Sequence, residues 1–246
     1  MKKIKLIAAV AAVLAVAGVF AACSGDLKGL DVVGKQSITS FDEVLKTIPD
    51  QVQADEPNVG WALSAPDDSV RFIWSEDYSR APLHDVMLEL DAQPFLDAGL
   101  DPEKLPESYV FYEGGTMGAT GSKMLMVGTK LGSDKLTYSS DPTALEAYGQ
   151  IVGKYRDAIN YHSSLDHYGV KLGDGNMFEW ARDMKTNGYD NSNQDKDIVF
   201  VLNPEPLISA GVDPEKLKSW VYAQVSVEEN GKMTQVWKFL KPFDLK

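Results

Sequence analysis

Asp85–Leu105 reads DVMLELDAQPFLDAGLDPEKL, and Asp197–Leu217 reads DIVFVLNPEPLISAGVDPEKL. The two stretches align without a gap at an offset of 112, and ten of the 21 positions are identical. Other exchanges keep their character, such as Val86 for Ile198 and Leu100 for Val212. Self-similarity at a fixed offset is the mark of a structural unit used twice. Within each copy an apolar stretch leads through proline to a glycine, Gly99 or Gly211. Glycine fits the left-handed position that closes a short helix. Asp101-Pro102 and Asp213-Pro214 then cap and open a further turn.

The likeness extends outward from this segment. Gly60-Trp61-Ala62-Leu63 aligns with Gly169-Val170-Lys171-Leu172, and Phe72-Ile73-Trp74 with Phe178-Glu179-Trp180. Tyr109-Val110-Phe111-Tyr112 aligns with Trp220-Val221-Tyr222-Ala223. A second strand follows each, over Met124–Lys130 and Thr234–Leu240. Val70, Phe72 and Trp74 alternate with polar neighbours, the period of a half-buried strand. Asp174-Gly175 and Asn230-Gly231 are hairpin-turn pairs, since both central residues of that turn take positive φ.

A helix is expected ahead of each set of strands. The first covers Phe41–Ile48, with Ser40 and Glu43 as a capping box. The second covers Pro142 to about Asn160, capped by Asp141. Leu145, Tyr148, Val152, Tyr155 and Ile159 form its apolar stripe. The fold class is therefore α+β: two tandem pseudo-symmetric repeats, each of antiparallel strands with a preceding helix and a short helical insert. Residues 39–136 form repeat 1 and 137–246 form repeat 2, joined by Ser133–Ser140 and packed as one unit. With 44% apolar residues, the chain can fill such a core.

Residues 1–22 hold Lys2, Lys3 and Lys5 and no acid, followed by an apolar run from Ile4 to Phe20. This is the layout of a secretory signal. It ends at Ala21-Ala22-Cys23-Ser24-Gly25, and Cys23 is the chain's only cysteine. Small residues before this cysteine resemble the lipobox of bacterial lipoproteins, with Phe20 where that family favours leucine. The resemblance covers residues 1–24. It implies a lipid on Cys23, cleavage before it, a tether over residues 23–38, and a mature domain held outside the cytoplasm at a cell or outer membrane. Two acyl chains make such an attachment stable.

With 24 basic and 36 acidic residues the chain carries −12, and loss of three lysines with the signal leaves −15. Such a surface repels phosphate backbones, so nucleic acid is not expected as a partner. The acids are spread along the chain, as on a solvated surface.

A residue that recurs in both halves serves the fold that both share, so function is sought where they differ. Glu113–Lys123 contains four glycines but no phosphate-loop order, and reads as a flexible hairpin tip. Asp183–Asp197 is rich in oxygen side chains, but it lacks the glycine and glutamate of the helix-loop-helix calcium motif and reads as a polar loop. His162 and His167 lie at the expected end of the second helix, five apart, where they diverge by over about 100°. They read as capping or surface histidines, and Ser163, Ser164 and Asp166 beside them make this the first place to look for reactivity. Trp74 and Trp180 are repeat-equivalent and belong to the core. Trp61, Trp220 and Trp237 have no tryptophan counterpart and are the candidate binding residues, with His162 and His167.

No metal or cofactor site is expected. The function these features imply is a non-catalytic envelope module that binds a protein, a peptide or a cell-surface polymer. The alternatives are an extracytoplasmic hydrolase and a small-molecule carrier.

Overall fold

The computed structural model describes residues 30–55, 60–75, 86–113, 121–129, 143–163, 166–181, 198–229 and 232–243. The expected signal segment, Cys23, the Asn230-Gly231 turn, the Ser133–Ser140 connector and all of the Asp183–Asp197 loop lie outside the described residues. Among the described residues no helix is long and apolar enough to cross a membrane.

The chain is α+β, with two six-stranded antiparallel sheets. The first sheet contains β1 (Val52–Asp55), β2 (Gly60–Ser64), β3 (Val70–Ser75), β4 (Val86–Asp91), β5 (Tyr109–Glu113) and β6 (Lys123–Thr129), in the order β1-β2-β3-β4-β6-β5. The second contains β7 (Ile159–His162), β8 (His167–Lys171), β9 (Met177–Ala181), β10 (Ile198–Leu202), β11 (Val221–Glu229) and β12 (Lys232–Phe243). Read from β7, its order is β7-β8-β9-β10-β12-β11, the same as in the first sheet. Helix α1 (Val32–Thr47) precedes β1, and α3 (Ala144–Lys154) precedes β7. The short helices α2 (Gln93–Asp97) and α4 (Pro204–Ser209) follow β4 and β10.

α1 begins about three turns earlier than its sequence suggests, and residues 32–38, expected as tether, form its first turns. Its cap is Asp31, whose carboxylate accepts the Gly34 N–H at 2.7 Å. Ser40 is not a cap but a buried mid-helix residue, accepting the indole N–H of Trp180 at 3.0 Å. Ser37 meets the Tyr148 hydroxyl at 2.6 Å, and a Cβ on Gly34 would sit 3.1 Å from Val152. Gly34 and Ser37 are thus the small residues that let α1 lie against α3, while Ser40 turns to β9. α3 is capped by Thr143 in a box with Glu146, and it stops at Lys154. Ile159, expected on the helical stripe, opens β7 instead.

Strand pairing corrects one alignment by two residues. Leu63 pairs with Phe72 and Val170 with Phe178, so Val170, not Leu172, is the counterpart of Leu63. Trp61, opposite Trp74, then corresponds to Tyr168, opposite Trp180. A shift of two keeps every side chain on its face, so the pattern of burial does not reveal it.

The inner faces of both sheets meet in one apolar core. Phe72 and Phe178 stack across it, with ring centroids 4.5 Å apart and planes 8° from parallel. Phe41 of α1 stacks on Tyr148 of α3 at 4.0 Å. Each helix lies on the sheet of the other half: α1 against β7 and β8, α3 against β2 and β3. The tryptophans follow suit. Trp74 donates to the Ala144 carbonyl on α3 at 3.1 Å, as Trp180 donates to Ser40 on α1.

The near-identical segments touch one another. Gly99 and Gly211 end α2 and α4 at φ of +107° and +105°. The Asp101 N–H donates to the Ala210 carbonyl at 2.7 Å, and the Asp213 N–H donates to the Ala98 carbonyl at 2.8 Å. A Cβ on Gly99 would lie 2.7 Å from the Gly211 oxygen, and one on Gly211 would lie 2.6 Å from the Gly99 oxygen. The backbones approach this closely only because neither residue has a side chain.

Candidate functional site

Strand register lets the strands of one sheet be matched residue by residue with those of the other, and three differences stand out. The first is on the outer face of the first sheet. Arg71 and Glu89 are cross-strand partners, and Arg71 Nε donates to Glu89 Oε1 at 2.7 Å. The Tyr112 hydroxyl donates to Glu89 Oε2 at 2.5 Å. Glu89 is only 1% exposed, and Ala62, Ile73, Met87 and Met126 surround this face. The matching pair in the second sheet is Met177 opposite Val201. One half thus solves with an ion pair what the other solves with apolar packing. This trio was not found on sequence, because its members meet only through strand register. With Glu89 buried, it is built to hold strands together.

The second difference is the histidine pair. His162 and His167 are not at a helix end: they face each other across the β7–β8 hairpin. His162 Nδ1 lies 3.6 Å from Glu179 Oε1, and His167 is fully buried. Asp166 stands in the turn at φ +55° and accepts the Tyr161 hydroxyl. Ser164 lies outside the described residues. The first-sheet residues at these places are Asp55, Gly60 and Ile73. Among the described residues no three His, Cys, Asp or Glu side chains gather where one metal ion would sit.

The third difference is on the β11–β12 hairpin. β12 has 12 residues, but β10 pairs only with Phe239–Phe243. The hairpin therefore runs on as a two-stranded ribbon past the end of the sheet. Tyr222, Gln224 and Ser226 of β11 share a face with Met233, Gln235, Trp237 and Phe239 of β12. Over the sheet this face packs into the core, and Phe239 is fully buried. Beyond the sheet no layer lies beneath it among the described residues. Trp237 is 47% exposed and Met233 50% exposed, among the few large apolar side chains that reach solvent. Tyr222 stacks under the Trp237 ring, with centroids 4.4 Å apart and planes 19° from parallel. This fixes the indole at low entropic cost and leaves its outer side to solvent. Gln224 stands directly opposite Trp237, and the Gln235 amide donates to the Ser226 hydroxyl at 2.5 Å. From Tyr222 to Ser226 and from Gln235 to Phe239, this face carries no charged residue; at its far end residue 228, a glutamate, pairs with Met233.

The five candidates named on sequence are not brought together. His162 and His167 pair at one end of the second sheet, and Trp237 stands on the ribbon at the other. Trp220 is 6% exposed and packs 6.0 Å from Phe95. Trp61 packs partly buried against the core. Of the three tryptophans, only Trp237 is open to a ligand. A cavity of about 320 Å³ lies elsewhere, between the start of α1 and β7, with Asp31, Arg156, Asn160 and Tyr161 in its wall.

Comparison of the chain with protein-family models, with curated proteins and with solved structures found no match.

Proposed function

We propose that the protein is an envelope lipoprotein, held outside the cytoplasm by a lipid on Cys23, and that it is a non-catalytic module whose ligand rests on the Trp237 face. The carrying observation is the aromatic pair Trp237–Tyr222, set on an uncharged surface with Gln224 and Gln235 beside it. A flat ring offers apolar contact area while amides offer donors and acceptors, the combination that suits an extended neutral ligand such as a cell-surface polymer. A binding role is preferred to a hydrolase at the histidine pair because His167 is fully buried. The halves are read as tandem copies of one unit, each with its own leading helix and short helical insert. The shared scaffold then carries the fold, and the ribbon that extends the second copy carries the ligand.

Two measurements test this. In cells fed a palmitate analogue, the wild-type chain is expected to take up label and fractionate with membranes, and Cys23→Ser to do neither. Label retained by Cys23→Ser removes the anchor from the proposal. In cosedimentation with insoluble cell-wall polysaccharide, Trp237→Ala is expected to bind at least about tenfold more weakly, since truncating a central aromatic anchor costs about 2 kcal/mol. The melting temperature should barely change, because this side chain is half in water. Equal binding by Trp237→Ala removes the platform.

A further inference from the structure

We propose that the free edge of β11 pairs, antiparallel and about a two-fold axis, with β11 of a second copy of this chain. A strand edge presents a row of backbone donors and acceptors, and proteins keep such edges short, charged or interrupted. Among the described residues three of the four sheet edges follow that practice: β1 shows four residues, β7 four and β5 five. β11 has nine and pairs with β12 in unbroken register, with no bulge. Its sequence, VYAQVSVEE, has no proline and no lysine, and no charge before its last two residues. Among the described residues no strand lies beside its outer edge. Where the hairpin leaves the sheet it is two-stranded, an arrangement that is marginal in water and gains from further strands.

The distribution of charge selects the occupant. Lys216 is paired with Asp213, which leaves Lys218 as the basic residue just before β11, and residues 228 and 229 that close the strand are both glutamates. An antiparallel partner with the same sequence sets the acidic end of each copy beside the basic approach of the other. A parallel copy would set like against like, and a generic acidic strand would meet no basic residue along β11. The axis is normal to the sheet, so both Trp237 faces point the same way and the paired molecule presents two platforms side by side. Both chains also keep their N-termini at one height along the axis, which allows two anchors in one membrane.

Sedimentation equilibrium of the full-length chain in density-matched detergent tests this. The expected result is a protein mass of two chains at micromolar concentration. Gln224 lies near the axis and is exposed, so Gln224→Lys sets two positive charges against each other and is expected to raise the dissociation constant by about tenfold or more. Lys218→Glu and Glu229→Lys are each expected to weaken pairing by about fivefold, and to restore it when combined. A single-chain mass up to about 100 µM overturns the proposal. So does a dimer indifferent to Gln224→Lys, or one that the combined charge reversal leaves as weak as its parents.

Discussion

Alanine at Gly99 or at Gly211 is expected to remove about 3–5 kcal/mol of unfolding free energy. A residue with a Cβ held near φ +105° costs about 1–3 kcal/mol in the backbone alone. The added carbon would also come within 2.7 Å of the facing glycine's oxygen, so the segments must part. Parting them stretches the Asp101–Ala210 and Asp213–Ala98 hydrogen bonds, each worth about 1 kcal/mol. Denaturant unfolding followed by fluorescence of the buried Trp74 and Trp180 measures the effect. The double alanine variant should lose less than the two single losses added together, because both substitutions break one contact. A loss below about 1 kcal/mol in either single variant would show that the seam yields more easily than its geometry implies.

The second large effect is expected at Arg71. Arg71→Met leaves the buried Glu89 carboxylate without its cation, and breaking a buried pair from one side costs about 3–5 kcal/mol. Arg71→Met combined with Glu89→Val copies the Met177–Val201 solution of the other sheet. It is expected to return stability to within about 1 kcal/mol of wild type, since well-packed apolar replacements of buried pairs are often neutral or better. Tyr112 is half-buried, so its hydroxyl keeps access to water once the carboxylate is gone. Chemical denaturation of the two variants side by side settles the matter. If the double variant is as unstable as the single, the outer face of the first sheet cannot accept what the second accepts.

Much of the fold is legible because the most similar segments are those that touch. The Asp-Ala-Gly-Leu-Asp-Pro run can be read as helix end and turn, and both copies form that end with positive φ at the glycine. The Asp174-Gly175 turn is read correctly for the same local reason: its residues take φ of 49° and 77°. What is not legible depends on partners far along the chain. Ser40 looks like a helix-start residue because nothing nearby announces that Trp180 will bond to it, and Ser37 falls in the expected tether because nothing announces Tyr148. His162 and His167 look helical because Tyr155 and Ile159 continue the apolar spacing, although the helix has already ended at Lys154. Trp237 could be singled out as unmatched, but its exposure follows from β12 outrunning β10, a length difference visible only once strands are paired. Arg71 and Glu89 are 18 residues apart and were invisible for the same reason.

The exchange of helices bears on how the molecule comes into being. α1 leaves the ribosome well before the sheet it rests on, which begins at Ile159. The first sheet likewise awaits α3 to cover Trp74. An emerging first half therefore has only part of the cover for its aromatic inner face, Phe41 against Trp74, and final consolidation waits for the C-terminal strands. Such long-range closure is slow and leaves sticky intermediates. A chain of this design has most to gain from a holding chaperone at the moment it is half delivered.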